Sequence, residues 1–246
     1  MNVVRALWRL GAALWQAVSG ALICALWFPF ITPAQRMGHV GRWSARMLRA
    51  LGIRLEARGT VHPGPVLIVA NHISWVDILA VNALHPARFV SKADVRHWPF
   101  IGYLVASGGT LFIERERKRD AMRVVHQIAA ALRSGDIVAV FPEGTTSDGH
   151  DVLPFHANLL QAAIATEAPV QPVVLRYRDA RSAVSQAASY VGDTSLAASL
   201  WSTVTADALV AEVIVENAQG TRHADRRALA EHLRDLIVGR LREGRA

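Results

Sequence analysis

The sequence predicts an α/β fold, a mostly parallel sheet flanked by helices, set behind N-terminal membrane-anchoring helices. Three observations carry this. Short apolar runs of strand length alternate with helical patterns along most of the 246 residues. Two of those runs, Val66 to Ala70 and Asp136 to Phe141, lead straight into polar residues, as buried strands do where they feed a site. Residues 10–35 carry no charge at all.

The uncharged stretch comes first. Leu10 to Ile31 is rich in Ala, Leu, Ile, Trp and Phe, and is long enough to cross a bilayer as a helix. A cleaved signal peptide would usually have a shorter apolar region. Trp8, Trp15, Trp27 and Phe30 cluster toward its ends, as interfacial aromatics do. Arg5 and Arg9 precede it; Arg36, Arg42, Arg46 and Arg49 follow. The heavier basic flank lies after the segment, so the rest of the chain is expected on the cytoplasmic side of the inner (plasma) membrane. Residues 34–51 repeat Met37, Val40, Trp43, Met47, Leu48 and Leu51 at helical spacing between those arginines. That pattern suits a helix on a membrane surface and equally one packing its apolar stripe on the domain. Residues 1–51 are therefore expected to form a membrane anchor, and residues 52–246 an α/β domain.

Gly52 ends the second helix, and Ile53 to Ala57 alternates like a strand. Pro63-Gly64-Pro65 turns the chain into Val66-Leu67-Ile68-Val69-Ala70, a buried strand. Asn71 and His72 follow at once, and a helix signal opens at Ser74, covering residues 75–84. Arg88 to Val90 and Thr110 to Ile113 read as strands, and residues 119–133 as a helix stopped by Gly135. Asp136 to Phe141 runs into Pro142-Glu143-Gly144-Thr145-Thr146. Residues 157–167 form a helix. Pro169 to Tyr177 is a strand whose two prolines point to an edge or a bulge. Residues 179–205, rich in Ala and Ser, give no signal. Leu209 to Val215 is a last strand, and residues 224–242 a last helix.

Composition narrows the function. The formal charge of +7 and the pI of about 10.6 favour anionic partners: nucleic acid, an acidic membrane surface, phosphorylated substrates or an acidic carrier protein. No nucleic-acid module or basic-aromatic patch is present. The one cysteine, Cys24, rules out an intrachain disulfide. No H-E-x-x-H or cysteine-based ligand set points to a metal enzyme.

His72, delivered by a buried strand to a strand-to-helix turn, is placed for acid–base work. Asp77, five residues on, can hold one imidazole nitrogen while the other faces a substrate. The same Ser74-Trp75-Val76-Asp77 also fits a helix-capping device. Glu143 fits a plain turn, and Arg115 a solvated run of charges.

Together three strand ends resemble the membrane-bound glycerolipid acyltransferase family, whose type member is 1-acyl-glycerol-3-phosphate acyltransferase. N-H-x-x-x-x-D is matched by Asn71, His72 and Asp77; G-x-x-F-I-x-R by Gly109, Phe112, Ile113 and Arg115; F-P-E-G-T by Phe141, Pro142, Glu143, Gly144 and Thr145. A fourth motif, a proline after an apolar strand, is matched by Pro172. The resemblance covers roughly residues 35–180. It implies a glycerolipid acyltransferase-like fold behind a two-helix anchor, with His72 as general base and Asp77 as its orienter. Arg115 would bind the acceptor's phosphate, and Asn71, Gly109, Glu143, Gly144 and Thr145 would help place the acceptor. The donor would be acyl-ACP or acyl-CoA, a co-substrate with no further cofactor, and the acceptor a lysolipid, first of all 1-acyl-glycerol-3-phosphate. A positioned imidazole can deprotonate a glycerol hydroxyl as it attacks a thioester, so no covalent enzyme intermediate is needed. That fits the absence of a G-x-S-x-G elbow.

Two departures bear on the acceptor. Thr146 stands where the lysophosphatidate enzymes usually place an arginine, and Pro154-Phe155-His156-Ala157 replaces the usual Phe-Lys-x-Gly. F-P-E-G-T-T-S-D-G is closer to the branch that acylates lyso-ornithine lipid. A hydrolase using His72 to activate water, or a binding protein with a dead site, are the readings from other classes. The retained acceptor motifs argue against the first, and intact His72 and Asp77 against the second.

Overall fold

Strand β2 (Val66–Ala70) explains the architecture: all five of its residues are buried, so both faces of the sheet must be covered. The computed structural model describes residues 3–98, 101–113 and 118–243. Val66, Ile68 and Ala70 point into one apolar layer; Leu67 and Val69 point into the other. The first layer is built by α1 (Val3–Leu26), α2 (Pro33–Leu51), α3 (Val76–Leu84) and α7 (Leu196–Thr205). The second is built by α5 (Lys118–Arg133), α6 (Gln161–Thr166) and α8 (Arg226–Glu243), the last presenting Leu229 and Leu233.

The remaining strands are β1 (Arg54–Arg58), β3 (Arg88–Lys92), β4 (Leu111–Ile113), β5 (Ile137–Val140), β6 (Val170–Arg178) and β7 (Val210–Val215). Their order is β1-β7-β6-β2-β5-β3-β4. Among the described strands only β6 and β7 pair antiparallel; β6, β2, β5, β3 and β4 all run the same way. The mostly parallel sheet flanked by helices is thus present. Because β2, β5, β3 and β4 are parallel, their carboxyl ends share one edge of the sheet.

Three sequence expectations need correction. The strand with two prolines is interior, lying between β7 and β2. Pro169 precedes it, and Pro172 offers its carbonyl to Glu216 N at 3.0 Å just where β7 has ended, so its missing N–H costs no ladder bond. A helix not foreseen, α4 (Ile101–Ser107), follows the short 3-10 turn Ala93–His97. The segment without signal holds α7 and a strap that crosses the sheet edge.

α1 and α2 form an antiparallel hairpin. Thr32 and Gln35 make a reciprocal capping box at the start of α2, with Pro33 at its first position, and Gly52 closes it at φ +80°. Ala6, Ala13 and Gly20, seven apart, are the buried residues of α1. At Gly20 the approach is so close that a Cβ would lie 2.5 Å from Trp43 Nε1. That nitrogen instead donates to the Gln16 carbonyl at 2.8 Å. Arg9 ties the other end down, donating to the carbonyls of Val204 and Ala206, both at 2.9 Å, where α7 stops. The opposite face of α1 exposes Leu7, Trp8, Leu14, Trp15, Leu22 and Leu26.

Candidate active site

At the carboxyl end of β2 the chain turns sharply before α3, and Asp77 holds the turn. Its Oδ2 accepts from Ile73 N at 2.7 Å, Ser74 N at 2.9 Å and His72 Nδ1 at 2.8 Å. Its Oδ1 accepts from the Tyr177 hydroxyl at 2.7 Å. The capping role and the orienting role are therefore carried by one carboxylate. Asp77 is wholly buried, yet each of its oxygens has a donor. With Nδ1 donating to a carboxylate, Nε2 of His72 carries the lone pair.

The imidazole is held on its face as well. It stacks on Phe141 at 4.0 Å between centroids with a 4° tilt, and Phe141 stacks on Phe89 at 5.5 Å. The His72 side chain keeps 19% of its surface accessible, enough for one edge to meet a substrate. Its backbone is pinned by the loop after β5. His72 N–H donates to Glu143 Oε1 at 2.6 Å, and the His72 carbonyl accepts from Ser147 N at 2.8 Å.

Glu143 is tied into the backbone of the site. Its two oxygens accept from the backbone of His72 and, at 2.7 Å, of Leu153, and it is buried. It braces the site loop through these two bonds. Burial pushes its carboxyl up to about 7, against the pull of those two N–H donors. Asn71 is 1% exposed, and its amide bonds Leu175 in both directions, donating to O at 2.9 Å and accepting from N at 2.8 Å. It fastens β2 to β6. Gly109 sits at φ +79°, ending α4 and turning the chain into β4, while its carbonyl accepts from Arg88 Nε at 2.9 Å. Gly144 takes φ +73° in the turn after β5, and Thr145 beside it is exposed. Arg115 lies outside the described residues; it stands two positions past β4 in the sequence.

Three contributors were not foreseen. Tyr177, on β6, is fully enclosed; burial, and then the Asp77 carboxylate, raise its pKa well above the usual phenol range, so it remains a donor. An aromatic next to last in a strand gives no sequence cue for a partner 100 positions away. Tyr190, in the strap before α7, donates its N–H to the Ile73 carbonyl at 3.0 Å and accepts from the Thr146 hydroxyl. Lys92 ends β3 as an exposed cation with no carboxylate partner among the described residues. It stands two strands from β2, about 10 Å along the sheet edge. Its position as the last residue of an apolar-cored strand was the available signal. Among the described residues, no group of three metal-ligating side chains is gathered.

A family model described as Acyltransferase matches residues 52–176. The 1-acyl-sn-glycerol-3-phosphate acyltransferase of Neisseria meningitidis serogroup B is 37% identical over 208 residues, 83% of this chain and 81% of that protein. The lyso-ornithine lipid O-acyltransferase of Pseudomonas aeruginosa is 41% identical over 155 residues, 63% of this chain and 59% of that protein. Among solved structures, the 1-acyl-sn-glycerophosphate acyltransferase of Thermotoga maritima superposes with a TM-score of 0.74 at 17% identity. The superposition covers 98% of this chain and 95% of that one.

Proposed function

Because the chain belongs to the acyltransferase family, we propose that it moves a fatty acyl chain from a thioester donor to the free hydroxyl of a lysolipid, with His72 as general base. The observation that carries this is the 2.8 Å pairing of His72 Nδ1 with buried Asp77, which leaves Nε2 as the basic edge. In the reaction Nε2 takes the hydroxyl proton while the oxygen bonds to the thioester carbonyl carbon. The C–S bond then breaks, and the departing thiolate recovers the proton. Asp77 fixes the ring's tautomer and steadies the imidazolium between these steps.

The leading acceptor is 1-acyl-glycerol-3-phosphate, the substrate in the names of two of these relatives. Lys92 at the shared sheet edge, and Arg115 just past β4 in the sequence, are the cations available for its phosphate. A second reading, acylation of lyso-ornithine lipid, has its own observations. Residues 134–175, which include the whole loop after β5, contain no Lys or Arg. Thr146, at the position of interest, gives its hydroxyl to Tyr190. The basic surface suits an acidic donor, acyl-ACP or acyl-CoA.

Residues 1–51 serve as the anchor in this reading and 52–246 as the catalytic domain. The hairpin lies on one side of the membrane. If α1 crossed the bilayer, α2 packed along it would carry Arg36, Arg42, Arg46 and Arg49 into the hydrocarbon, at a cost of several kcal/mol by the scales for central arginines. The cytoplasmic face of the inner membrane, where acyl-ACP and acyl-CoA are made, is the side we assign. An acceptor panel tests the function. Membranes holding the protein or its His72→Ala variant receive labelled acyl donor with lysophosphatidate, other lysophospholipids or lyso-ornithine lipid. His72-dependent labelling of phosphatidate supports the leading reading, and labelling of ornithine lipid alone the second. No His72-dependent product with any pair would overturn both.

A further inference from the structure

Helix α4 reads I-G-Y-L-V-A-S and carries no charge. A helix apolar all round belongs in a core or in lipid. Yet only Gly102 of α4 is buried, and Tyr103 is 47% exposed. Trp98, at the end of the preceding turn, is 39% exposed. This surface does not stand alone. α4 packs against α1, with Ser107 near Cys24 in its last turns. There Leu22, Leu26, Trp27 and Phe30 are exposed, Phe30 to 82%. The two apolar surfaces adjoin. The turn leading into α4 places Arg96 and His97 beside them, both exposed, against a single acid, Asp94.

We propose that residues 93–98 and 101–107 form a second membrane-contacting element, seated in the same leaflet as the outer face of α1. The occupant is a lipid bilayer carrying anionic head groups. Continuity with the α1 face selects lipid, because a surface adjoining the leaflet-seated face of α1 lies against the same leaflet. Trp98 and Tyr103 are the side chains suited to head-group depth, with an apolar body and a polar tip. Arg96 lies over the Phe112 ring at 5.8 Å, which holds its guanidinium at the rim where lipid phosphates would sit. Lys92, the last residue of β3, immediately precedes this element. The element thus brings the site edge of the sheet down to the level at which lysolipid head groups lie.

The inference rests on the reading of α1 as anchor, and the test separates the two. In a Cys24→Ser background, single cysteines at Tyr103, Trp15 and Glu231 are spin-labelled, and the full chain is placed in nanodiscs of phosphatidylethanolamine and phosphatidylglycerol. Relaxation by oxygen is compared with relaxation by a water-soluble nickel chelate. Transfer activity on the panel above certifies that each variant is folded. Labels at 103 and 15 are expected to favour oxygen several-fold more than the label at Glu231, on the exposed face of α8. A label at 103 that behaves like the one at 231, while 15 favours oxygen, overturns the second element and leaves the anchor standing. Labels at 103 and 15 that both favour nickel overturn the anchor and this inference with it.

Discussion

Replacing Tyr177 by Phe removes a single oxygen and tests what holds the base in place. The ring stays in a site that is 2% exposed, but Asp77 Oδ1 loses its donor in a pocket closed to water. A hydrogen bond to a charged group contributes about 1.5–3 kcal/mol, and the orphaned oxygen adds to the loss. Taking about 2 kcal/mol, and about 2–4 °C per kcal/mol for a chain of this size, the thermal midpoint should fall by about 4–8 °C. The same loosening lets Asp77 rotate against His72. A tenfold fall in kcat, about 1.4 kcal/mol, is expected, with KM unchanged because Tyr177 touches no substrate. Differential scanning calorimetry and steady-state acyl transfer read the two effects. A lowered midpoint with full kcat would refute the positioning argument, since the amides of Ile73 and Ser74 would then suffice to hold Asp77. An unchanged midpoint would refute the energetic one.

Three other expectations follow from the same geometry. Glu143 is raised in the folded state to about 7, so its contribution to stability is complete below its unfolded value near 4.5 and is lost as pH climbs through 7. The thermal midpoint should drop between pH 5 and 8 by an amount corresponding to about 3 kcal/mol, and Glu143→Gln should flatten that slope; a variant as steep as the parent would show another group responsible. Lys92→Ala should raise KM for lysophosphatidate about tenfold, about 1.4 kcal/mol, and leave kcat nearly intact; an unaffected KM removes Lys92 from the acceptor site. Gly20→Leu puts a side chain where Trp43 already lies 2.5 Å from a built Cβ, so the hairpin must part at a cost of about 1–3 kcal/mol, read by thermal unfolding in detergent.

The centre of the sheet was legible because β2 and β5 are apolar from end to end. Val66–Ala70 and Ile137–Val140 can hardly be anything else once their polar ends are noticed. Helix α8 was legible for the same reason, its Leu229, Leu233, Ile237 and Leu241 all facing inward. The placement of β6 was not, because a proline's harm depends on which neighbour its nitrogen faces, and that is set by where β7 stops. Helix α4 was hidden by Pro99 and two glycines at its flank, and α7 by a composition that suits helix and loop alike. Within the site, the pairing of His72 with Asp77 could be anticipated from a five-residue spacing. The brace from Glu143 could not, since its partner His72 lies 71 positions away and only its two backbone donors reveal a structural duty. Tyr177 and Tyr190 are long-range partners with no local signature.

The long-range hydrogen bonds that fix the turn at His72 also set when that turn can exist. Tyr177 comes from 100 positions beyond Asp77, the Asn71 clasp reaches 104 positions to Leu175, and Glu143 is 71 positions beyond His72. No short fragment contains them all, and closing loops of that length is slow. The nascent chain must therefore have released β2, β5 and β6 before His72 can take up its working tautomer and tilt. Until then the histidine sits at the end of an unpaired, wholly apolar strand. Catalytic competence should be among the last properties to return during refolding, after secondary structure is in place. Activity would then report on assembly of the sheet's centre and not on the local order of one turn.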